Sequence, residues 1–215
     1  MNLATAAAGQ FDAADFFARA GERLAHSPPQ VSGDTRLGDH VLNPDFLPTA
    51  VPYRDAAVLI PVIARPGGPT VLLTQRTPHL SSHAGQIAFP GGKLEPGDAT
   101  PAAGALREAE EEIGLDPALV EVLGYLDPYL TGTGYRIVPV VGRVDPGFRL
   151  DLNVHEVAEA FEVPLAFLMG PENHRRNSRI LLGAPRTFYE VPFEGRYIWG
   201  VTAGIIRALY ERMYG

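Results

Sequence analysis

Glu108, Glu111 and Glu112 fall within five residues of one another in the segment Arg107-Glu108-Ala109-Glu110-Glu111-Glu112-Ile113-Gly114-Leu115. Residues three and four apart share one face of a helix, so three carboxylates are expected at one point. Like charges that close resist ionising together unless a cation sits among them. Clustered hard oxygen donors suit Mg²⁺ or Mn²⁺ and not zinc. A solvated acidic helix face is the plainer alternative for any Glu-rich run, and the surroundings weigh against it. Upstream, Phe89-Pro90-Gly91-Gly92 ends an apolar run with backbone that a ligand can approach without a Cβ in the way. A strand, a Gly-Gly turn, a loop and a carboxylate-bearing helix together make a metal site facing an open pocket. That is a site for handling phosphates.

The elements that must position these groups can be read from the flanking residues. Thr100 is an expected N-cap, Pro101 an expected first helical residue, and Gly114 a C-terminal stop. Arg107 stands four residues before Glu111, a spacing that permits an intrahelical ion pair. Strands are expected over 56–64, 70–76, 87–89, 120–126 and 135–144, with further candidates at 156–163, 180–182 and 187–191. A short amphipathic helix is expected from Phe11 to His26, and a closing helix from Thr202, as its cap, to Tyr214. Proline-rich residues 27–54 read as a mostly irregular linker. Strands mixed with two or three helices indicate a layered α/β domain. The expected organisation is an N-terminal helix and Pro-rich arm over 1–54 and a catalytic domain over 55–215.

The span from Gly92 to Leu115 resembles the Nudix box, whose Arg-Glu-apolar-x-Glu-Glu-x-Gly-apolar tail is matched from Arg107 to Leu115. The loop acid is Asp98 where Glu is usual, and the gap from Asp98 to Arg107 is one residue longer than in the common form. Both departures are familiar in the coenzyme A pyrophosphatase branch. Leu72-Leu73-Thr74-Gln75-Arg76-Thr77 and Gly85-Gln86-Ile87-Ala88-Phe89-Pro90-Gly91-Gly92 look like that branch's additional signature, although it usually carries a basic residue where this chain has Ser81. The segment from Tyr197 to Ile206 is also similar to the branch. The resemblance implies the α/β/α sandwich of the Nudix fold with a mixed sheet, a Mg²⁺ or Mn²⁺ cofactor, and cleavage of coenzyme A to 3′,5′-ADP and 4′-phosphopantetheine. It implies metal ligands at Glu108, Glu111 and Glu112, with the Gly91 carbonyl a backbone candidate. It also implies catalytic roles for Glu112, Glu111 and Arg107. A broader nucleoside-diphosphate-X pyrophosphatase, acting on ADP-ribose or dinucleotides, stays open, as does a catalytically silent nucleotide-binding module.

Outside the helix, Glu156 is the first candidate for a general base or a further metal ligand, with Glu159 and Glu162 as competitors and an exposed loop acid as the alternative. Arg76 ends a strand leading to the pocket, and a guanidinium fork suits a phosphate; a surface ion pair is the alternative. His79 and His83 are four apart, but Pro78 and Gly85 make their segment a loop, favouring packing or substrate contact over metal. Substrate binding is therefore assigned to Arg76, His83, Gly85 and Phe89, and specificity to the segment between Arg76 and Phe89. Thr131-Gly132-Thr133-Gly134 lacks the context of a phosphate loop and reads as a hairpin connection. Arg175, Arg176 and Arg179, with His174, read as a solvated loop that could meet a 3′-phosphate. Trp199, Phe188 and Tyr189 read as core or interface aromatics.

Composition narrows the partners. A net charge of −7, with no basic block to offset it, argues against general binding to nucleic acid or anionic membrane. Phosphates must then be met locally, by arginine and metal. With no cysteine there is no thiolate zinc site or cysteine nucleophile. No leader and no apolar stretch of membrane-spanning length is evident, so the cytoplasm is the expected location. The expected partner is a small coenzyme A-like molecule, with a homodimer left open.

Overall fold

Alternating apolar residues in the longest strands face two ways, and each direction meets helices. The structure is a computed structural model that describes residues 11–29, 37–44, 52–79, 83–181 and 183–215. The elements are α1 (Ala13–Arg23), β1 (Leu37–Gly38), β2 (Arg54–Ile63), β3 (Thr70–Arg76), β4 (Ile87–Ala88), β5 (Gly91–Lys93), α2 (Pro101–Ile113), β6 (Val120–Tyr125), β7 (Tyr129–Leu130) and β8 (Tyr135–Val144). They continue with β9 (Val157–Pro164), α3 (Leu165–Leu168), β10 (Arg175–Leu181), β11 (Ala184–Phe193), β12 (Arg196–Trp199) and α4 (Val201–Tyr214).

A mixed sheet of nine strands runs β1-β7-β8-β2-β3-β4, with β5 also on β2, β6 on β8 and β9 on β3. Its centre is the parallel pair β2–β8, in register from Arg54↔Tyr135 to Ile63↔Val144. In β2, Ala57, Leu59 and Ile63 pack with Ala102, Ala105, Ala109 and Ile113 of α2. Ile60 and Val62 pack on the other face with Phe16 and Ala20 of α1 and Ile205, Ile206 and Leu209 of α4. This period-two alternation, covered by helices on both faces, makes the α/β/α sandwich. A second sheet, β10-β11-β12, is antiparallel throughout.

Helix α2 starts and stops for local reasons. Thr100 accepts a hydrogen bond from the Ala103 N–H, Pro101 opens the first turn, and Gly114 ends the helix at φ +68°. Such a cap is worth about 1 kcal/mol.

Several boundaries differ from the expectations. Thr202 does not cap the last helix: Gly200 is its N-cap, and the Thr202 hydroxyl donates to the Ile87 carbonyl, tying α4 to β4. The first helix is shorter at both ends than 11–26, because Asp12 caps it and Leu24 turns to extended backbone. Within the irregular segment 27–54, Leu37–Gly38 pairs in parallel with Tyr129–Leu130, and Arg54 already belongs to β2. The cluster Arg175, Arg176 and Arg179 lies on strand β10 and not in a loop. Leu182 of the expected strand 180–182, Ser81 of the signature, and residues 30–36 and 45–51 of the linker lie outside the described residues. The hairpin reading of Thr131 to Gly134 holds: these residues join the antiparallel pair β7–β8.

Candidate active site

The apolar face of α2 is interrupted at one position. Ala102, Ala105, Ala109 and Ile113 are buried against the sheet, and Glu112 is buried among them, with only 4% exposed. A carboxylate in that place needs partners. Its Oε2 accepts from the Gly91 N–H at 3.1 Å, and its Oε1 lies 3.5 Å from Nη1 of Arg76. Burial pushes the Glu112 carboxyl up to about 7; repulsion from Glu108 and Glu156 adds to the rise, while the Gly91 N–H and Arg76 oppose it.

One turn earlier on α2, Glu108 lies flat over Gly92. A Cβ on Gly92 would meet both Glu108 carboxylate oxygens at 2.5 Å, so glycine is what leaves room for that carboxylate. Burial raises the Glu108 carboxyl too, opposed by Arg107 and supported by Glu111 and Glu156. Gly91 and Gly92 do not form the expected turn: they lie on strand β5, paired with Val58 and Ala57 of β2, and from there supply an N–H to one glutamate and space to the other.

Arg107 organises this end of the helix. Its Nε and Nη2 each lie 3.1 Å from an oxygen of Asp98, a two-pronged contact. Its Nη1 donates to Glu108 and to Glu111, each at 3.1 Å, and Nη2 also reaches the Lys93 carbonyl at 3.2 Å. Asp98 in turn accepts from the Glu95 N–H, and these contacts hold its carboxyl below the usual range. The expected Arg107–Glu111 pair is present. Glu108 and Glu111 share Arg107 Nη1, but Glu111 has 58% of its side chain exposed, whereas Glu112 is buried against Gly91. Arg107 itself is engaged by Asp98, Glu108, Glu111 and the Lys93 carbonyl.

Glu156 reaches the site from the loop before β9. That loop docks on the end of α2, where the Asn153 N–H donates to the Glu112 carbonyl at 3.0 Å. The Thr77 N–H donates to the Glu156 carbonyl at 2.9 Å, stitching β3 to the same loop. The half-buried Glu156 side chain has one hydrogen bond, from Asn153 Nδ2 at 3.3 Å, and is close enough to raise both Glu108 and Glu112. Its two competitors are occupied elsewhere. Glu162 accepts from Arg65 at 2.5 and 3.0 Å and from Thr70 at 2.5 Å, which together lower its carboxyl. Glu159 is paired with Arg196.

The expected substrate contacts divide. Arg76 is brought to Glu112, at a register shift where Gln75 pairs with Glu159 but Arg76 pairs with Val157. His83, at φ +58°, is exposed and bonds Gln86 at 2.8 Å; Gly85, at φ +69°, is exposed and its carbonyl accepts from Gln75 at 3.3 Å. His79 is exposed on the turn after β3. Phe89 is a correction: it is 3% exposed, in the core with Ile87 and Val191, so its ring is a packing group and no substrate contact. Among the aromatics, Phe188 is buried, while Tyr197 and Trp199 stack under the Arg179 guanidinium.

The donor set fits a hard divalent cation. It is all oxygen, and repulsion from Glu108 and Glu156 adds to the burial that raises the Glu112 carboxyl, a repulsion that a cation would relieve. Among the described residues no group of three or more acidic, cysteine or histidine side chains is gathered closely enough to hold a metal ion by itself. Glu108 and Glu112 would therefore hold such an ion only with water or phosphate oxygens completing its shell, as Mg²⁺ commonly is held.

Comparison with known proteins agrees with this architecture. The model of the NUDIX domain matches residues 52–181. The chain is 43% identical over 169 residues, 79% of its own length and 88% of the relative's, to the uncharacterized Nudix hydrolase NudL of Escherichia coli (strain K12). Among solved structures it is similar to a MutT protein from Methanosarcina mazei Go1, at 24% identity over 56% of this chain and 83% of that one, with a TM-score of 0.45. A Deinococcus radiodurans protein matches at 14% identity over 79% of this chain and 90% of that one, with a TM-score of 0.49.

Proposed function

Because the chain belongs to the Nudix family of hydrolases, which act on pyrophosphate bonds, we propose that its substrate is coenzyme A or a coenzyme A derivative and its cofactor Mg²⁺ or Mn²⁺. Water attacks one phosphorus of the pyrophosphate, the bridging P–O bond breaks, and the leaving phosphate oxygen keeps the electron pair. The products are 3′,5′-ADP and 4′-phosphopantetheine. A bound divalent ion supplies charge relief on the phosphoryl oxygens and a more acidic water.

The chain's own residues fall into roles around that chemistry. Glu108 and Glu112 would hold the metal, with the Gly91 carbonyl as a backbone ligand and Glu111 at the outer edge. Glu156 takes the proton from water: of the three acids considered for that step, it is the one whose carboxylate no arginine engages. Arg107 keeps Glu108 and Asp98 in place. Residues 55–215 form the hydrolase unit in this reading, with 1–54 as the added arm.

The observation carrying the substrate assignment is where the two signature segments meet. Residues 72–77 and 85–92 pair through Thr74↔Ala88 and Gln75↔Ile87, and each contributes one contact, Arg76 or Gly91, to Glu112. They stand against the carboxylates, where they can follow a substrate leaving the pyrophosphate. The test is chromatographic identification of products from coenzyme A, 3′-dephospho-coenzyme A, ADP-ribose and dinucleotides, each with Mg²⁺ and with Mn²⁺. Faster turnover of ADP-ribose than of coenzyme A overturns the assignment and leaves the broader pyrophosphatase.

A further inference from the structure

Arginines near the carboxylates are engaged by acids, with one exception in the strength of its contact. Arg107 has Asp98, Glu108 and Glu111; Arg65 has Glu162; Arg196 has Glu159. Arg76 has Glu112 at 3.5 Å, beyond ordinary hydrogen-bond distance, and its buried Nε has no hydrogen-bond partner among the described residues. Its backbone, by contrast, is fixed. The Arg76 N–H donates to the Gln86 carbonyl at 2.9 Å, and the register shift between β3 and β9 occurs at this residue. An irregularity of that kind re-aims a side chain. Here it turns a guanidinium toward a buried carboxylate without letting the two lock together.

We propose that Arg76 is a resident counter-ion of Glu112 that competes with the divalent cation for that carboxylate and, once displaced, holds the substrate's pyrophosphate. A guanidinium is cationic at every working pH and has five donors in a planar fork. Beside Glu112 it lowers the cost of a buried negative charge. When a divalent ion takes over that neutralisation, the two cations repel, and the freed fork has the geometry to bind a phosphate bidentately. Pyrophosphate oxygens are the acceptors that a metal at Glu108 and Glu112 would bring within reach. This inference rests on the metal-dependent reading of the site and is independent of the coenzyme A assignment.

The proposal requires one substitution to move two affinities in opposite directions. Arg76→Gln keeps most of the stem and removes the charge. Mn²⁺ binding, measured by calorimetry on the full chain without substrate, is expected to tighten by about fivefold, since a like charge a few ångströms away is gone. Binding of inorganic pyrophosphate to the Mn²⁺-loaded variant is expected to weaken by about tenfold or more. Arg76→Lys, which keeps a charge, is expected to retain Mn²⁺ affinity near wild type and guards against misfolding of the Gln variant. Arg196→Gln removes the same charge from the pair with Glu159 and is expected to leave Mn²⁺ affinity unchanged. Weakening of both ligands by Arg76→Gln would mean a purely structural role and overturn the proposal. Equal tightening in Arg196→Gln would trace the effect to net charge and overturn it as well. If wild type binds no Mn²⁺, the metal reading itself fails and the proposal with it.

Discussion

Glu112→Gln should make the metal-free protein more stable at alkaline pH while removing most of its activity. The folded protein holds the Glu112 carboxyl at about 7, against an ordinary 4.5, chiefly because the group is buried. The folded state therefore binds this proton more tightly than the unfolded state does. The stability contributed by the neutral form is fully present below about 4.5 and is lost as pH rises through about 7. At about 1.4 kcal/mol per pH unit, the loss is on the order of 3 kcal/mol for this group. Gln keeps the volume, keeps an oxygen for the Gly91 N–H and never ionises. Near pH 4.5 the two proteins should melt together; at pH 8 in EDTA the variant should melt higher by roughly 6–12 °C for a chain of this size. Thermal melts followed by circular dichroism from pH 4.5 to 8.5, read as the difference between the proteins, isolate Glu112 from other carboxyls. Activity at saturating Mg²⁺ should fall more than about tenfold, corresponding to at least 1.4 kcal/mol of barrier. A difference curve that stays flat across this window would refute the argument that Glu112 is an under-compensated buried charge.

Two other predictions concern which groups matter and which only stand nearby. Glu156→Gln should lower kcat by about a hundredfold or more with little change in Mn²⁺ affinity, whereas recovery of rate at high metal would make Glu156 a ligand instead. Glu159→Gln and Glu162→Gln should keep turnover within about threefold of wild type, and Glu162→Gln should lose about 1 kcal/mol of stability in a denaturant titration because Arg65 and Thr70 lose their carboxylate. Gly92→Ala should cost little stability, since the added methyl meets the movable end of Glu108. It should still weaken Mn²⁺ binding about tenfold by lifting that carboxylate off β5, and unchanged affinity would remove Glu108 from the ligand set.

What could be read from the chain was what local chemistry determines. Thr100, Pro101 and Gly114 bound α2 because caps act within one turn, and the Arg107–Glu111 pair follows from their four-residue spacing. The strand over 56–64 was legible in its unbroken apolar run, but which of its side chains faces which helix was not. What could not be read depended on contacts between distant segments. Arg107, which Glu108 and Glu111 share, is itself fixed by Asp98, nine residues earlier. Phe89 looked like the lip of a pocket beside Gly91, but the packing of β4 on α4 turns it into the core. Strand β10 carries Arg-Arg-Asn-Ser-Arg with no apolar alternation, since its described side chains are exposed, and β1 is two residues long, too short for any period.

The position of Glu112 follows from the residues around it. Ala102, Ala105 and Ala109 are small, so α2 lies close against β2, and that closeness brings the next polar residue on the same face to the Gly91 N–H. A larger apolar face would hold the helix farther from β5 and its glycines. With Glu112 fixed, Glu108 falls one turn back on the same side, over the residue where a Cβ would collide with it. The alanines, the two glycines and the two glutamates are thus one device: each alone is an ordinary choice, and together they bury the Glu112 carboxylate where its N–H and guanidinium contacts do not outweigh its burial. Consistent local rules elsewhere in the domain offset that cost, which is the pattern expected where a site has been kept for a ligand. Strand β5 lies against this charge, with the Arg76 guanidinium 3.5 Å from Glu112 and Glu156 close enough to repel both glutamates, so a cation there would meet acids from two elements.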